Sequence, residues 1–322
     1  MLSRERVRRT IGHQPCDRVP IYGWVAWNLE DKIVPAFGSV AAFEDRYEFD
    51  LAHLFGGPPC YAPNAFAGLP RPLTPAALLE VPMTDPNDSA AYEAIRQGIA
   101  HHQTERGRFV YVQTPGIFEA NNGHFGIEHH LMYLALYPEL LHEVYRRQAA
   151  WSRDFAMNCL DLGLDMVHLS DDWGGQESLL FSPRTWHELI APYHRVTTSA
   201  VKARGGFVSL HSDGNINAVL DGIVDLGFDV VHPFQESAGM DLADFRARYR
   251  HKLAAMGGLD VQTTFGFGQI DHLRAEIRRV LGMFRDGGLI YCTTHFVQAH
   301  CSLDELVTAY DLIYETVRQP AS

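Results

Sequence analysis

From about residue 160 onward the chain repeats one pattern, a short apolar run ending in polar residues and then a longer stretch with apolar positions three and four apart. The runs are DMVHLSDD (165–172), GFVSLHSD (206–213), FDVVHPFQ (228–235), KLAAMGGLD (252–260) and GLIYCTTH (288–295). Near-continuous apolar runs of this length read as strands covered on both faces, as parallel strands are. The stretches between them, Pro183–Arg204, Ile216–Leu226, Leu242–Tyr249, Ile270–Phe284 and Ser302–Val317, read as helices. Asp241 stands at the start of the third, and SLDE (302–305) sets Glu305 three residues after Ser302, the spacing of a capping box. The first half is less regular. RVPIYGW (18–24) and FVYVQTP (109–115) fit further strands, and Tyr133–Leu160 fits one or two helices. Strands alternating with helices imply a parallel sheet with right-handed crossovers. About eight strand candidates without a Gly/Ser linker give an expected α/β fold class, a single (β/α)8 TIM barrel over residues 1–322 with an irregular N-terminal part. An open doubly wound sheet is the alternative.

Composition narrows the class of protein. At 46% hydrophobic and 20% charged residues the chain can bury a large core. A net charge of -12 disfavours a nucleic-acid surface, which needs a clustered basic excess, and the one basic cluster, Arg4 to Arg9, is expected to be a solvated helix face. No apolar run approaches the roughly 20 residues that span a bilayer, and MLSRERVRRTIGHQP reads as a charged helix, so a cytoplasmic protein with no membrane partner is expected. Five cysteines lie scattered without CxxC spacing and read as reduced thiols, although Cys292 and Cys301 bracket His295 and stay open as ligands. No GxGxxG or GxxxxGKS pattern asks for a nucleotide.

Candidate chemistry collects at the strand ends: Asp171–Asp172, His211 with Asp213, His232 with Gln235, Asp260 with Gln262, and Thr293–Thr294–His295 with Gln298. In a barrel these ends converge on one mouth. If the strand of the second run, GFVSLHSD, persists past His211, period-two alternation puts His211 and Asp213 on one face; otherwise Asp213 is a helix N-cap. Together with His295 they make a two-histidine, one-carboxylate set, which suits zinc with an open position or, alternatively, iron(II). Most of the 17 histidines must nonetheless be surface or core residues. Asp172 is the candidate general base or substrate-orienting carboxylate, with His211 as its catalytic partner, unless the Asp171–Asp172 pair caps the helix near Ser182. Gln235 and Gln298 would orient a small-molecule substrate, and Trp24, Trp27, Phe118 and Trp173 could wall its pocket.

The stretches RERVRRTIGHQPCDRVPIY, DDWGGQESLLFSPRTWHELIAPYHR, HSDGNINAVLDGIVDLGFDVVHPFQ, LAAMGGLDVQ and GGLIYCTTHFVQAHCSLDELVTAYD together resemble the uroporphyrinogen decarboxylase superfamily, in consistent order from about residue 3 to 318. The resemblance implies a (β/α)8 barrel. True uroporphyrinogen decarboxylases carry an early MRQAGRYLPEY motif whose arginines hold the propionates, whereas IYGWVAWNLEDKIV (21–34) has no arginine, which disfavours that substrate. The branch related to methylcobamide:coenzyme M methyltransferase has His-x-Cys on one strand and Cys on the last. His211-Ser212-Asp213 and the His295 of TTHFV stand at those positions here. The resemblance therefore implies a zinc-dependent methyltransferase or demethylase using His211, Asp213 and His295, with a corrinoid carried by a partner protein. A decarboxylase-type lyase, an iron(II) enzyme and a non-catalytic corrinoid or tetrapyrrole binder are the rivals, and a homodimer is compatible with each.

Overall fold

In the computed structural model, which describes residues 1–318, the chain divides into two compact units, neither of them one continuous stretch. The first holds Met1–Ala52, Arg106–Phe109 and the chain from Val230 onward; the second holds His53–Glu105 and Val110–Asp229. Seven strands occur among the described residues: β1 (Leu51–Leu54), β2 (Phe109–Pro115), β3 (Met166–Ser170), β4 (Phe207–His211), β5 (Val230–His232), β6 (Ala254–Leu259) and β7 (Leu289–Thr293). The organisation is α/β with parallel strands, and helices separate β2 through β7 along the chain.

In the second unit β2, β3 and β4 pair in parallel, with Tyr111 opposite Met166 and Ser170 opposite His211. Every residue of β3 is buried, as the unbroken run MVHLS requires of a strand covered on both sides. The Tyr133–Leu160 region forms two helices, Ile127–Leu136 and Pro138–Asp161. They part at Tyr137 because a proline fits the first helical turn and disfavours a helical residue before it. The helix expected over 183–204 is in three pieces, with a wide turn at Trp186–Ile190 before Ala191–Ala203. LAHL, the four residues of β1, is too short to show a period, which is why the sequence pattern passes over it.

In the first unit β5, β6 and β7 pair in parallel, with Leu259 opposite Thr293. The strand expected over 18–24 is reduced to one parallel bridge, Ile21 with Tyr291. Tyr22 N–H donates to the Tyr291 carbonyl (3.0 Å) and Tyr291 N–H to that of Pro20 (2.9 Å), but Pro20 has no N–H to extend the ladder. Seven strands and a bridging segment thus stand where eight strands are expected.

That segment is held from below by Asp50, a fully buried carboxylate that accepts from Arg6 Nη1 (2.5 Å), Arg18 Nη1 (2.5 Å) and Ile21 N–H (2.8 Å). Arg6 also donates to Asp17 (2.7 Å), and this bond holds the Asp17 carboxyl well below the usual range. The expectation of a solvated Arg4–Arg9 face is therefore corrected at Arg6, which two carboxylates draw into the interior. The helix signals are seen at Asp241, whose side chain accepts from Ala243 and Asp244 N–H, and at Ser302, whose Oγ accepts from Glu305 N–H (3.1 Å). Glu305 itself accepts from Gly266 and Gly268 N–H (2.8 and 2.9 Å), tying down the loop after β6. No helix among the described residues is long and apolar enough to cross a membrane.

Within β6 the backbone is crowded. A Cβ on Gly257 (φ 147°) would lie 1.9 Å from the Pro233 carbonyl oxygen, and one on Gly258 (φ 92°) 2.9 Å from Val280 Cγ1. Gly258→Val is expected to cost about 2–4 kcal/mol through strain and overpacking. Arg6→Ala is expected to cost a similar ~2–4 kcal/mol by leaving the buried Asp50 carboxylate with Arg18 as its one remaining ion-pair partner among the described residues and by emptying the buried space Arg6 fills. Exposed Arg8→Ala should stay within about 0.5 kcal/mol of wild type. Denaturant midpoints rank the three, and a wild-type midpoint for Gly258→Val would contradict the packing of β6.

Candidate active site

The chemistry-bearing residues of the second unit follow the C-terminal ends of β2, β3 and β4. Asp171, the first residue past β3, is fully buried. Its Oδ1 accepts from the N–H groups of Phe118 (2.8 Å) and Glu119 (2.6 Å), where the Glu119–Phe125 helix begins. Its Oδ2 accepts from Trp173 Nε1 (2.8 Å) and His194 Nε2 (2.6 Å). All four donors converge on one carboxylate, so Asp171 is an anchor for three segments and has no capacity left for a substrate.

Asp172 points elsewhere. Its Oδ1 accepts from Asp213 N–H (2.8 Å) and lies 3.5 Å from His211 Nε2. Because β4 stops at His211, strand alternation does not place Asp213; the turn that follows does, setting Asp213 Oδ1 3.9 Å from His211 Nε2. Nor is Asp213 a helix cap, since Asn215 Oδ1 accepts from Asn217 N–H (3.1 Å) where the chain turns helical. Asp172 likewise leaves capping near residue 183 to Ser182, whose Oγ accepts from Thr185 N–H (3.0 Å). One donor atom from each of Asp172, His211 and Asp213 lies within 4.8 Å of the others. Among the described residues Asp213 Oδ1 has no hydrogen-bond partner although it is buried. Burial pushes the Asp213 carboxyl up to about 6; nearby His211 opposes the rise and Asp172 adds to it.

Glu119 completes the group. Its Oε2 accepts from Ser170 Oγ (2.9 Å), its carboxyl also takes the Asp172 N–H, and burial, then the charges of Asp172 and Asp171, push it up to about 7. Sequence reasoning did not single it out, because its partners, Ser170 and the Asp172 amide, lie 51 residues and more along the chain. Its position four residues past FVYVQTP, at a strand's C-terminal end, was the available signal.

The remaining predicted residues are distributed differently. Trp173 is fully buried, edge-on to Trp186 and His194 at 5.4 and 5.1 Å, so it supports the loop from the core rather than walling a pocket. Phe118 is also fully buried. In the first unit, Trp24 is buried 4.4 Å from the His232 ring, while Trp27 is 66% exposed and tilted against Phe296 at 5.1 Å. His295, on the loop after β7, packs near-perpendicular to the Phe296 ring at 5.0 Å. Gln298 donates to the Phe296 carbonyl (3.0 Å), and Gln235 is buried. Within the second unit the third donor beside His211 and Asp213 is Asp172; His295 belongs to the first unit. Burial raises the Cys292 thiol, which lies 3.1 Å from the Thr293 carbonyl, and pushes Cys301 up to about 12.

Comparison with solved structures gives the fold. A methyltransferase from Methanosarcina mazei superposes with a TM-score of 0.71 over 98% of this chain and 99% of its own, at 14% identity, which shows a shared fold. Residues 119–315 match the model of the uroporphyrinogen decarboxylase (URO-D) family, and the chain belongs to that family. Curated relatives include uroporphyrinogen decarboxylases of Neisseria meningitidis (24% identical over 196 residues, 56% of this chain and 50% of the relative) and a Synechococcus species (30% over 186 residues, 57% and 49%). The chain spans about half the length of the curated relatives it matches.

Asp171→Asn turns one acceptor oxygen into an N–H₂ facing N–H donors, so it is expected to cost about 2–4 kcal/mol by chemical denaturation. In metal-free protein, Glu119 binds a proton up to about pH 7 when folded, against its ordinary value of 4.5. The folded state then holds more protons than the unfolded one between those limits, so stability falls as pH rises through that window. Glu119→Gln should flatten this fall in a stability–pH profile, and an unchanged slope would refute the placement of Glu119.

Proposed function

We propose that this chain is a metal-assisted enzyme of its family that transfers a methyl group to or from a small polar substrate, with Asp172, His211 and Asp213 as metal-binding side chains. The observation that carries the proposal is the close approach of these three donors around a buried Asp213 oxygen that has no hydrogen-bond partner among the described residues. Two carboxylates and an imidazole form a donor set suited to zinc, with iron(II) as the alternative. A bound ion would supply Lewis acidity toward an oxygen or nitrogen of the substrate. Glu119, held by Ser170 and the Asp172 amide, would exchange a proton with the same substrate. The fold shared with a methyltransferase and the lack of arginine in residues 21–34 support methyl transfer over porphyrinogen chemistry. The methyl group's other carrier would be a corrinoid on a separate protein.

A second reading, a decarboxylating lyase, is favoured by Glu119. A carboxyl that stays protonated near neutral pH can deliver the proton that replaces CO₂ on the substrate carbon, and the curated relatives are named as decarboxylases.

Metal analysis separates these. Metal-replete wild-type protein is expected to hold about one zinc per chain, His211→Ala and Asp213→Asn to lose it, and the Cys292→Ser, Cys301→Ser double variant to keep it. His295→Ala reports separately on the ligand role expected from sequence. Wild-type protein that stays metal-free overturns the proposal, activity confined to ferrous iron with oxygen selects iron, and CO₂ release abolished by Glu119→Gln selects the lyase.

A further inference from the structure

We propose that the backbone crossing of Gly174 over Gly214 sets the distance between the Asp172 and Asp213 carboxylates, making two residues without side-chain chemistry the positioning residues of the metal site. This rests on the metal-binding reading above. β3 and β4 are paired as far as Ser170 and His211, after which parallel strands ordinarily separate into their loops. Here the contact continues. Asp171 N–H donates to the His211 carbonyl (2.9 Å), Trp173 N–H to Ser212 Oγ (2.9 Å), Asp213 N–H to Asp172 Oδ1 (2.8 Å) and Asn215 N–H to the Gly175 carbonyl (2.8 Å).

Four consecutive ties of this kind leave no room between the loops. A Cβ on Gly174 would lie 2.4 Å from the Asp213 carbonyl oxygen and 2.6 Å from Asn215 N; one on Gly214 would lie 2.5 Å from the Gly174 carbonyl carbon. Both neighbours are backbone and cannot swing aside. Restoring ordinary contact near 3.5 Å would force the loops apart by roughly 1 Å. Ligand distances in a metal site tolerate only about 0.2 Å, so a methyl group at residue 174 displaces Asp213 from Asp172 by several times the permitted error.

The two glycines also differ in a useful way. Gly214 has a left-handed φ of 75°, so a substitution there adds backbone strain to the clash, whereas Gly174 does not and isolates the clash. Gly205 supplies the converse, a left-handed φ of 72° with nothing within 4 Å of an added Cβ.

The probe is cobalt(II), titrated into chelator-treated full-length protein and followed by its visible absorption. Gly174→Ala is expected to weaken cobalt binding about tenfold or more, as loss of outer support does in known metal sites, and to change the band shape, while Gly205→Ala alters neither. In the same samples without metal, hydrogen exchange across 170–175 and 211–216 should quicken in Gly174→Ala alone. If Gly174→Ala does not fold, Ser212→Ala, which loosens the same crossing by removing an atom, should shift affinity and exchange in the same direction by about threefold. Unchanged affinity, spectrum and exchange in the folded variant overturn the inference. If wild-type protein binds no cobalt, the metal reading fails by itself, and the exchange of the two segments alone then decides whether the crossing sets their spacing.

Discussion

A single buried carboxylate, Asp171, organises the chemistry of the second unit. An ionised group removed from water is tolerated only where donors replace its hydration, and Asp171 has four, drawn from the 118–119 turn, from Trp173 and from His194. Those donors belong to three separate segments, so satisfying one charge fixes three positions. The start of the Glu119 helix is pulled against the end of β3, the Trp173 side chain is drawn into the core, and the Ala191–Ala203 helix is docked through His194. With Asp171 turned inward, Asp172 is directed toward His211 and Asp213. Two adjacent aspartates thereby acquire opposite roles, one structural and one exposed to chemistry.

That separation creates an electrostatic problem for the site. Glu119 and Asp213 sit where burial penalises charge, and the nearby Asp172 charge makes each harder to ionise. Such a cluster can resolve the repulsion by keeping protons, as the upward displacement of Glu119 and Asp213 shows, or by taking a cation. The two proposed reactions draw on these two resolutions. A lyase uses the retained proton on Glu119; a metal-assisted transferase uses the cation. His211 Nε2 lies 3.5 Å from an Asp172 oxygen and 3.9 Å from an Asp213 oxygen, so under the metal-binding reading an imidazole donor would stand beside both carboxylates.

How much of this was legible in the sequence follows from the range of each interaction. FVYVQTP and LADFRARY give a strand and a helix with the bounds observed, because local periodicity and the Asp241 cap specify them without distant help. His211 and Asp213 were legible as candidates because polar residues ending an apolar strand break the pattern. Long-range effects were hidden. The 18–24 run looks like a strand until its pairing proves to be one bridge to Tyr291, Arg6 looks solvated until Asp50 meets it from 44 residues away, and Trp173 looks like a pocket wall until Trp186 and His194 pack against it. Glu119 was hidden in the same way: its setting depends on Ser170 and the Asp172 amide, 51 residues and more along the chain, and on burial that composition does not reveal.

The donor types also narrow the chemistry within the proposed reading. The methyltransferase branch that the sequence resembles offers sulfur ligands, but Cys292 and Cys301 here are displaced upward by burial and so favour the neutral thiol, a poor metal ligand. Two carboxylates carry the same formal charge as two thiolates, so exchanging one pair for the other leaves the net charge around a divalent ion unchanged. The difference is in electron donation. Carboxylate oxygens are hard and give up little density, leaving the ion more electron-demanding toward its open positions. Under that reading, an ion held by Asp172, His211 and Asp213 would favour an oxygen or nitrogen atom of the substrate over a thiolate and would supply Lewis acidity toward it. If those carboxylates are the ligands, the proposed reaction would be one in which a methyl group leaves from oxygen or nitrogen rather than one in which it arrives on sulfur.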